Sequence, residues 1–158
     1  VKALDTLALA LGEAGNPFAA LDAALQQLVG HRFLTVLLYR HDLGVAERLY
    51  SNRPEMFPTG GRKRFEDAPT QKRVAETRRP YIGPDAASLR RDFPDHEKIF
   101  ALGCSSILNM PVLWAGQALG QVNLLHEEGH FGTQHLPPVR VAVQMCVPAF
   151  LALKETTP

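Results

Sequence analysis

The stretch Leu102 to Phe131 carries three amide side chains, Asn109, Gln121 and Asn123, whose spacing is the clearest chemical signal in the chain. The segment reads as two strands joined by Trp114-Ala115-Gly116. In the first strand Ser106, Leu108 and Met110 share one face, and Ser105, Ile107 and Asn109 the other; in the second, Gly120, Val122 and Leu124 oppose Gln121, Asn123 and Leu125. One face is therefore apolar and the other carries amides. A three-residue hairpin loop with Gly in the left-handed position pairs Leu113 with Gln117, and hence Asn109 with Gln121 and Ile107 with Asn123. Facing water, such amides are ordinary solvated groups; beneath a cover, they are donors and acceptors aimed at a ligand.

Other reactive residue types offer less. Cys104 and Cys146 lie far apart, and neither belongs to a paired ligand spacing, so zinc is disfavoured, both read as small core residues, and a reducing cytoplasm is the default location. His126 and His130 have helical spacing but fall where the chain leaves a strand, which makes a poor metal pair. No Gly-rich phosphate loop, paired nucleophile motif or metal-binding helix signature is present. Lys and Arg total 17 against 16 Asp and Glu, a net charge of +1 that predicts no nucleic-acid partner. The run Arg62-Lys63-Arg64 reads as a solvated loop rather than a phosphate site. The longest apolar run, Ala142 to Leu153, contains Gln144 and Pro148 and is too short to span a membrane, and no signal peptide is read. Because the chain begins at Val1, whether it is complete or part of a longer signalling protein stays open.

The elements that must position these residues follow from periodicity. With 158 residues, 46% of them hydrophobic, and no break in composition, one domain over 1–158 is expected: helices in 1–30, sheet and cover in 31–132, helix and tail in 133–158. Ala3 to Ala14 places Leu4, Leu7 and Leu11 on one helical face, and a second helix starts at the Asn16-Pro17 cap and runs to Gly30. Strands follow at Phe33 to Arg40 and Ala46 to Ser51, then a loop from Arg53 to Pro69 long enough to act as a cover. Thr70 to Thr77 is helical, Pro80 to Ile82 a short strand, and Asp85 to Leu102 one or two short helices broken at Pro94. Thr133 caps a last helix that runs to about Lys154 and kinks at Pro148. Leu4, Leu7 and Leu11 with Val139, Val143 and Leu151 supply a homodimer contact or, in the rival reading, pack on the sheet.

Gly103, Ser106-Ile107-Leu108, Met110-Pro111-Val112, a Gly turn, Leu119-Gly120-Gln121-Val122-Asn123-Leu124 and then Phe131 opening a terminal helix resemble the second half of a GAF domain. FLTVLLYR (Phe33 to Arg40) and Ala46 to Ser51 resemble its first two strands, so the resemblance spans nearly the whole chain. It implies an α+β fold: an antiparallel sheet with N- and C-terminal helices on one face and a covered ligand pocket on the other. It also implies a sensor that binds a small organic ligand non-covalently, signals to an effector through its terminal helices, and forms a homodimer.

Under that resemblance the region Arg53 to Leu102 crosses the amide face and encloses a pocket floored by Tyr39, Asn109, Gln121 and Asn123. Tyr39 takes its place from the corresponding strand residue of pigment-binding relatives. Arg79, Tyr81, Asp92 and His96 are the covering residues able to add polar contacts, each with a surface or structural role as the alternative; Asp95 is a candidate helix cap. Replacing Asn123 with Leu is expected to abolish binding and spare the fold. Cys104 is followed by Ser105 and not by the His usual in pigment-binding relatives, which argues against a covalent bilin. The cyclic-nucleotide series is broken, since Leu124 follows Asn123 and His135 stands where an Asp belongs. The alternative is a free methionine-R-sulfoxide reductase-like enzyme using Cys104; Cys146 is expected on the opposite side, out of reach for a dithiol cycle. No cofactor is identified.

Overall fold

The chain opens with two helices whose boundaries follow local chemistry. In the computed structural model, which describes residues 1–155, α1 spans Lys2–Leu11 and α2 spans Pro17–Leu28. The Asn16 carboxamide oxygen accepts from the Phe18 amide at 2.9 Å while Pro17 fills the first helical position, where no N–H is needed. Strands β1 (Phe33–Arg40), β2 (Val45–Ser51) and β3 (Arg62–Arg64) follow, then α3 (Pro69–Thr77), β4 (Tyr81–Gly83), α4 (Ala86–Asp92) and α5 (His96–Ala101). The long hairpin β5 (Ser106–Trp114) and β6 (Gln117–His126) leads to α6 (Leu136–Gln144) and α7 (Val147–Glu155).

The strands form one antiparallel sheet in the order β3-β2-β1-β6-β5-β4, the α+β architecture expected from the sequence. Leu34, Val36 and Leu38 of β1 join Leu108, Met110, Val122 and Leu124 against the terminal helices, where Phe18 meets Phe150 edge-on at 5.4 Å. The region between β2 and β5 covers the other face. Buried on both sides, β1 reads as a continuous apolar run rather than an alternating one.

The hairpin differs from its expected register. Ala115 and Gly116 both have positive φ (51° and 79°), so the connection is a two-residue turn that pairs Trp114 with Gln117. Continued without interruption, that register would set Asn109 opposite Val122 and mix the polar and apolar faces. A bulge supplies one extra residue, Leu119, between the pairs Leu113↔Ala118 and Val112↔Gly120. It brings Asn109 opposite Asn123 and Met110 opposite Val122, which keeps the amides together.

Three further expectations need correction. Arg62-Lys63-Arg64 is not a solvated loop but β3, paired with β2, and a 3-10 turn, Phe65–Asp67, follows it. Thr133 opens a 3-10 turn rather than capping the last helix, which starts at Leu136 and breaks in two. Pro148 has no N–H for the Gln144 carbonyl, so α6 ends at Gln144 and α7 sets off at 51° to the segment before it. Leu7, Val139 and Val143 lie in the core instead of forming an outer stripe; Leu9 (67% exposed) and Val141 (48%) are exposed. Among the described residues no single helix is long and apolar enough to cross a membrane.

Candidate functional site

A cavity of about 170 Å³ lies between the amide face of the sheet and its cover. Thr35, Asn109 and Asn123 give it a polar floor, beside Phe33, Ile107 and Leu125. Arg48 enters from β2, Arg62 and Lys63 from β3, and Phe93, Asp95 and Ile99 from the segment around Pro94. Three cations thus face one carboxylate. Arg62 is held at 2.8 Å by Glu47, and Lys63 lies 3.5 Å from Asp95 Oδ2. The Arg48 guanidinium stacks over Phe57 at 5.3 Å; burial lowers its pKa and Asp95 opposes that shift.

The floor is a hydrogen-bonded network. Asn123 Oδ1 accepts from Asn109 Nδ2 and from Gln121 Nε2, both at 2.5 Å, and Asn123 Nδ2 donates to Thr35 Oγ1 at 3.0 Å. Tyr39 donates its hydroxyl to Gln121 Oε1. Burial holds the phenol well above its ordinary pKa, so it stays protonated and acts as a donor. Asn109 is 1% exposed, yet its Oδ1 has no partner among the described residues; the same holds for Arg48 Nε and Asp95 Oδ1. All three residues border the cavity.

The residues expected at the site divide into three groups. Asn109 and Asn123 line the cavity, while Gln121 (0% exposed) and Tyr39 sit beneath and beside it and fix the network. The Tyr39 ring borders a neighbouring cleft with His41 and Arg78. Arg79, Tyr81, Asp92 and His96 do not border the cavity. Tyr81 donates to Asp92, which also takes two bonds from Arg91 at 3.0 Å, and Arg79 joins Tyr81 at a shallow surface depression. His96 Nδ1 lies 2.7 Å from the Phe93 carbonyl. The extended link through Pro94 turns Phe93 and Asp95 inward in place of Asp92 and His96. Asp95 makes no capping bond and faces the cavity.

The cysteines sit on opposite sides of the sheet. Cys104 packs with Phe33, Phe57 and Ile107, and Cys146 packs in the helix-side core. Burial pushes the Cys104 thiol up to about 11 and that of Cys146 up to about 12, so neither is a ready thiolate. Cys104 does not border the cavity.

His126, Glu127 and His130 place their donor atoms within 4.8 Å of one another, a closeness not expected from their spacing. The His126 and His130 rings stack with their centroids 4.0 Å apart. His130 Nε2 lies 3.0 Å from the Val29 and Gly30 carbonyls, and His126 Nδ1 accepts from the Glu127 amide at 2.7 Å. Burial first, then the neighbouring His130, holds His126 and His135 below the usual imidazole range of about 6.5; Arg32 and His31 add to this at His126, and Glu127 opposes it. Below pH 6.5 the unfolded chain therefore binds protons that the folded chain resists, and stability falls with pH until the folded pKa values are passed. The melting temperature is expected to drop from pH 7.5 toward 5.5, with a shallower slope in His130→Gln, which removes the repelling ring. An unchanged slope in that variant would refute the coupling.

No protein-family model and no curated protein matches the sequence. Solved structures match its shape: the GAF domain of a phosphoenolpyruvate-protein phosphotransferase from Acinetobacter has a TM-score of 0.77 at 11% identity, over 99% of this chain and 95% of that one. The GAF domain of a two-component sensor histidine kinase from Bacillus halodurans gives 0.72 at 11% identity, over 87% and 92%. The free methionine-R-sulfoxide reductase from Neisseria meningitidis, solved with its substrate, gives 0.69 at 13% identity, over 98% and 90%. The chain has the GAF fold.

Proposed function

We propose that this GAF-fold chain is a regulatory sensor that binds a small organic ligand non-covalently in the covered cavity and relays occupancy through its terminal helices. The observation that carries the reading is a cavity of about 170 Å³ between sheet and cover whose lining combines the polar side chains of Thr35, Asn109 and Asn123 with Arg48, Asp95 and an apolar wall, the mixed surface that small-molecule sites have. A sensor kinase among the proteins sharing the fold supports the same class of role.

A route for the relay is available. Gln144, the last residue of α6, accepts from the Leu113 amide and donates to the Leu113 carbonyl, both at 2.8 Å. That clamp ties the strand bearing Asn109 to the break between α6 and α7. Occupancy that favours one cover position over another then biases the helix arrangement at a point where Pro148 removes a backbone bond. Leu9 and Val141 are the exposed apolar side chains on the terminal helices for the homodimer that belongs to this reading.

Native mass spectrometry of protein purified from its own cells tests both features. We expect a dimer that carries one small molecule per chain; a bare monomer would overturn the reading. The shared fold of the reductase motivates a second arm. Cys104→Ser is expected to retain the molecule, because the thiol is outside the cavity lining. Thiol-dependent reduction of free methionine sulfoxide by the wild type, lost in Cys104→Ser, would replace the sensor with the enzyme.

A further inference from the structure

We propose that His126, Glu127 and His130 form a binding site for a divalent transition-metal ion of the zinc type, separate from the covered cavity. None of the three borders that cavity, so the site stands independently of the sensor reading.

The loop after β6 brings the ligands together. β6 ends at His126, and beyond a strand end the spacing of His126 and His130 does not by itself make them neighbours. The chain instead turns back on itself. The His130 amide donates to the Glu127 carbonyl at 3.2 Å, Gly129 takes a left-handed φ of 73°, and the Gly129 amide donates to the Pro84 carbonyl at 2.9 Å. One donor atom from each of the three residues then lies within 4.8 Å of the other two. Two imidazoles and a carboxylate are ligands that a zinc-type ion takes, and three protein ligands leave a position for water.

The ring tautomers suit ligation. Carbonyl oxygens only accept, so His130 Nε2, 3.0 Å from the Val29 and Gly30 carbonyls, carries the ring hydrogen, and Nδ1 keeps the lone pair. A ring N–H held by a backbone carbonyl is the support that metal-ligating histidines have, because it fixes the tautomer and makes the other nitrogen the better donor. His126 Nδ1 also holds a lone pair, since it accepts from the Glu127 amide at 2.7 Å. That bond lies at the surface, where water replaces it when the nitrogen turns to an ion.

The site opens at little cost. The two stacked rings must converge on the ion, and His126, half-buried at the strand end, is the ring free to swing outward, because His130 is held by its carbonyls. Arg32 lies 3.6 Å from the Glu127 carboxylate, but both side chains are exposed and Arg32 also donates to the Gly103 carbonyl at 2.6 Å; such surface pairs are weak competitors. A bound ion would fasten the end of β6, through His130, to the Val29-Gly30 segment that follows α2.

Calorimetric titration with Zn²⁺ of the 158-residue chain, free of any histidine tag and dialysed against a chelator, tests the site. One ion per chain is expected, and a melting temperature raised by about 5 °C when the ion is at about a hundred times its dissociation constant. His126→Gln and Glu127→Gln are each expected to weaken binding at least about ten-fold, while Arg32→Gln tightens it and His41→Gln, at an exposed histidine elsewhere, leaves it unchanged. The visible absorption of bound Co²⁺ in the wild type gives a second readout that needs no variant, since a tetrahedral site with nitrogen ligands absorbs far more strongly than the hydrated ion. Zn²⁺ binding that His126→Gln leaves intact, or that His41→Gln weakens as much, would reduce the site to scattered surface histidines and overturn it. No binding below about 0.1 mM, or a Co²⁺ spectrum that stays that of the hydrated ion, would overturn it as well.

Discussion

Gly120→Ala is expected to abolish cooperative folding. A Cβ at this position would sit 2.0 Å from the Leu37 carbonyl oxygen and 2.8 Å from Cε1 of Phe150. The first contact is with backbone, in the strand hydrogen-bonded to β6, and Gly120 stands in register with Leu38 on one side and Val112 on the other. Leu37 cannot retreat without opening the β1–β6 ladder. The second contact is with a fully buried ring already packed against Phe18. Overpacking a core side chain alone costs about 1–3 kcal/mol, and displacing a central strand adds to it, so a loss above about 4 kcal/mol is expected. Urea unfolding followed by circular dichroism reads the outcome. Gly12→Ala is the control: its Cβ comes no closer than 3.4 Å to any atom and its φ is −80°, so near-neutral or slightly raised stability is expected. A Gly120→Ala protein that melts at the wild-type temperature would show that the β1–β6 contact is looser than described.

Gly120 also marks the limit of what the sequence could show. Alternation in 106–110 and 120–125 sorted polar from apolar faces correctly, because parity is a property of each strand alone. Pairing is a property of two strands and the turn between them, and the extra residue at Leu119 has no signature in composition. The charged lining was hidden for a similar reason. Arg62-Lys63-Arg64 has no strand-like pattern and becomes β3 only by docking on β2. Arg48 was readable in principle: it alternates with Ala46, which places an arginine on the covered face of β2, an arrangement that calls for a reason. At Pro94 the sequence located the covering segment but not its rotation, and the inward positions are Phe93 and Asp95, each one residue from an expected one.

Asn123→Leu is expected to be a stability mutation before it is a binding mutation. From the sequence the residue is one of three ligand-facing amides, and its loss should spare the fold. In the structure Asn123 Oδ1 is the shared acceptor for Asn109 Nδ2 and Gln121 Nε2, and Asn123 Nδ2 serves the Thr35 hydroxyl. Leucine removes all three bonds at once and leaves two amide donors buried without acceptors. Each orphan costs about 1–3 kcal/mol, so a loss of about 2–6 kcal/mol is expected, a large share of the roughly 5–15 kcal/mol that holds a domain together. Asn109→Leu separates the two roles. It removes one donor to Asn123 Oδ1 but leaves the bond from Gln121 in place, and it takes away an amide from the cavity floor. Its stability loss should therefore be the smaller of the two, while the retained molecule is lost from the native spectrum. A urea midpoint for Asn123→Leu within error of the wild type would sink the network as a structural element, since the network depends on Asn123 holding its carbonyl toward both neighbours.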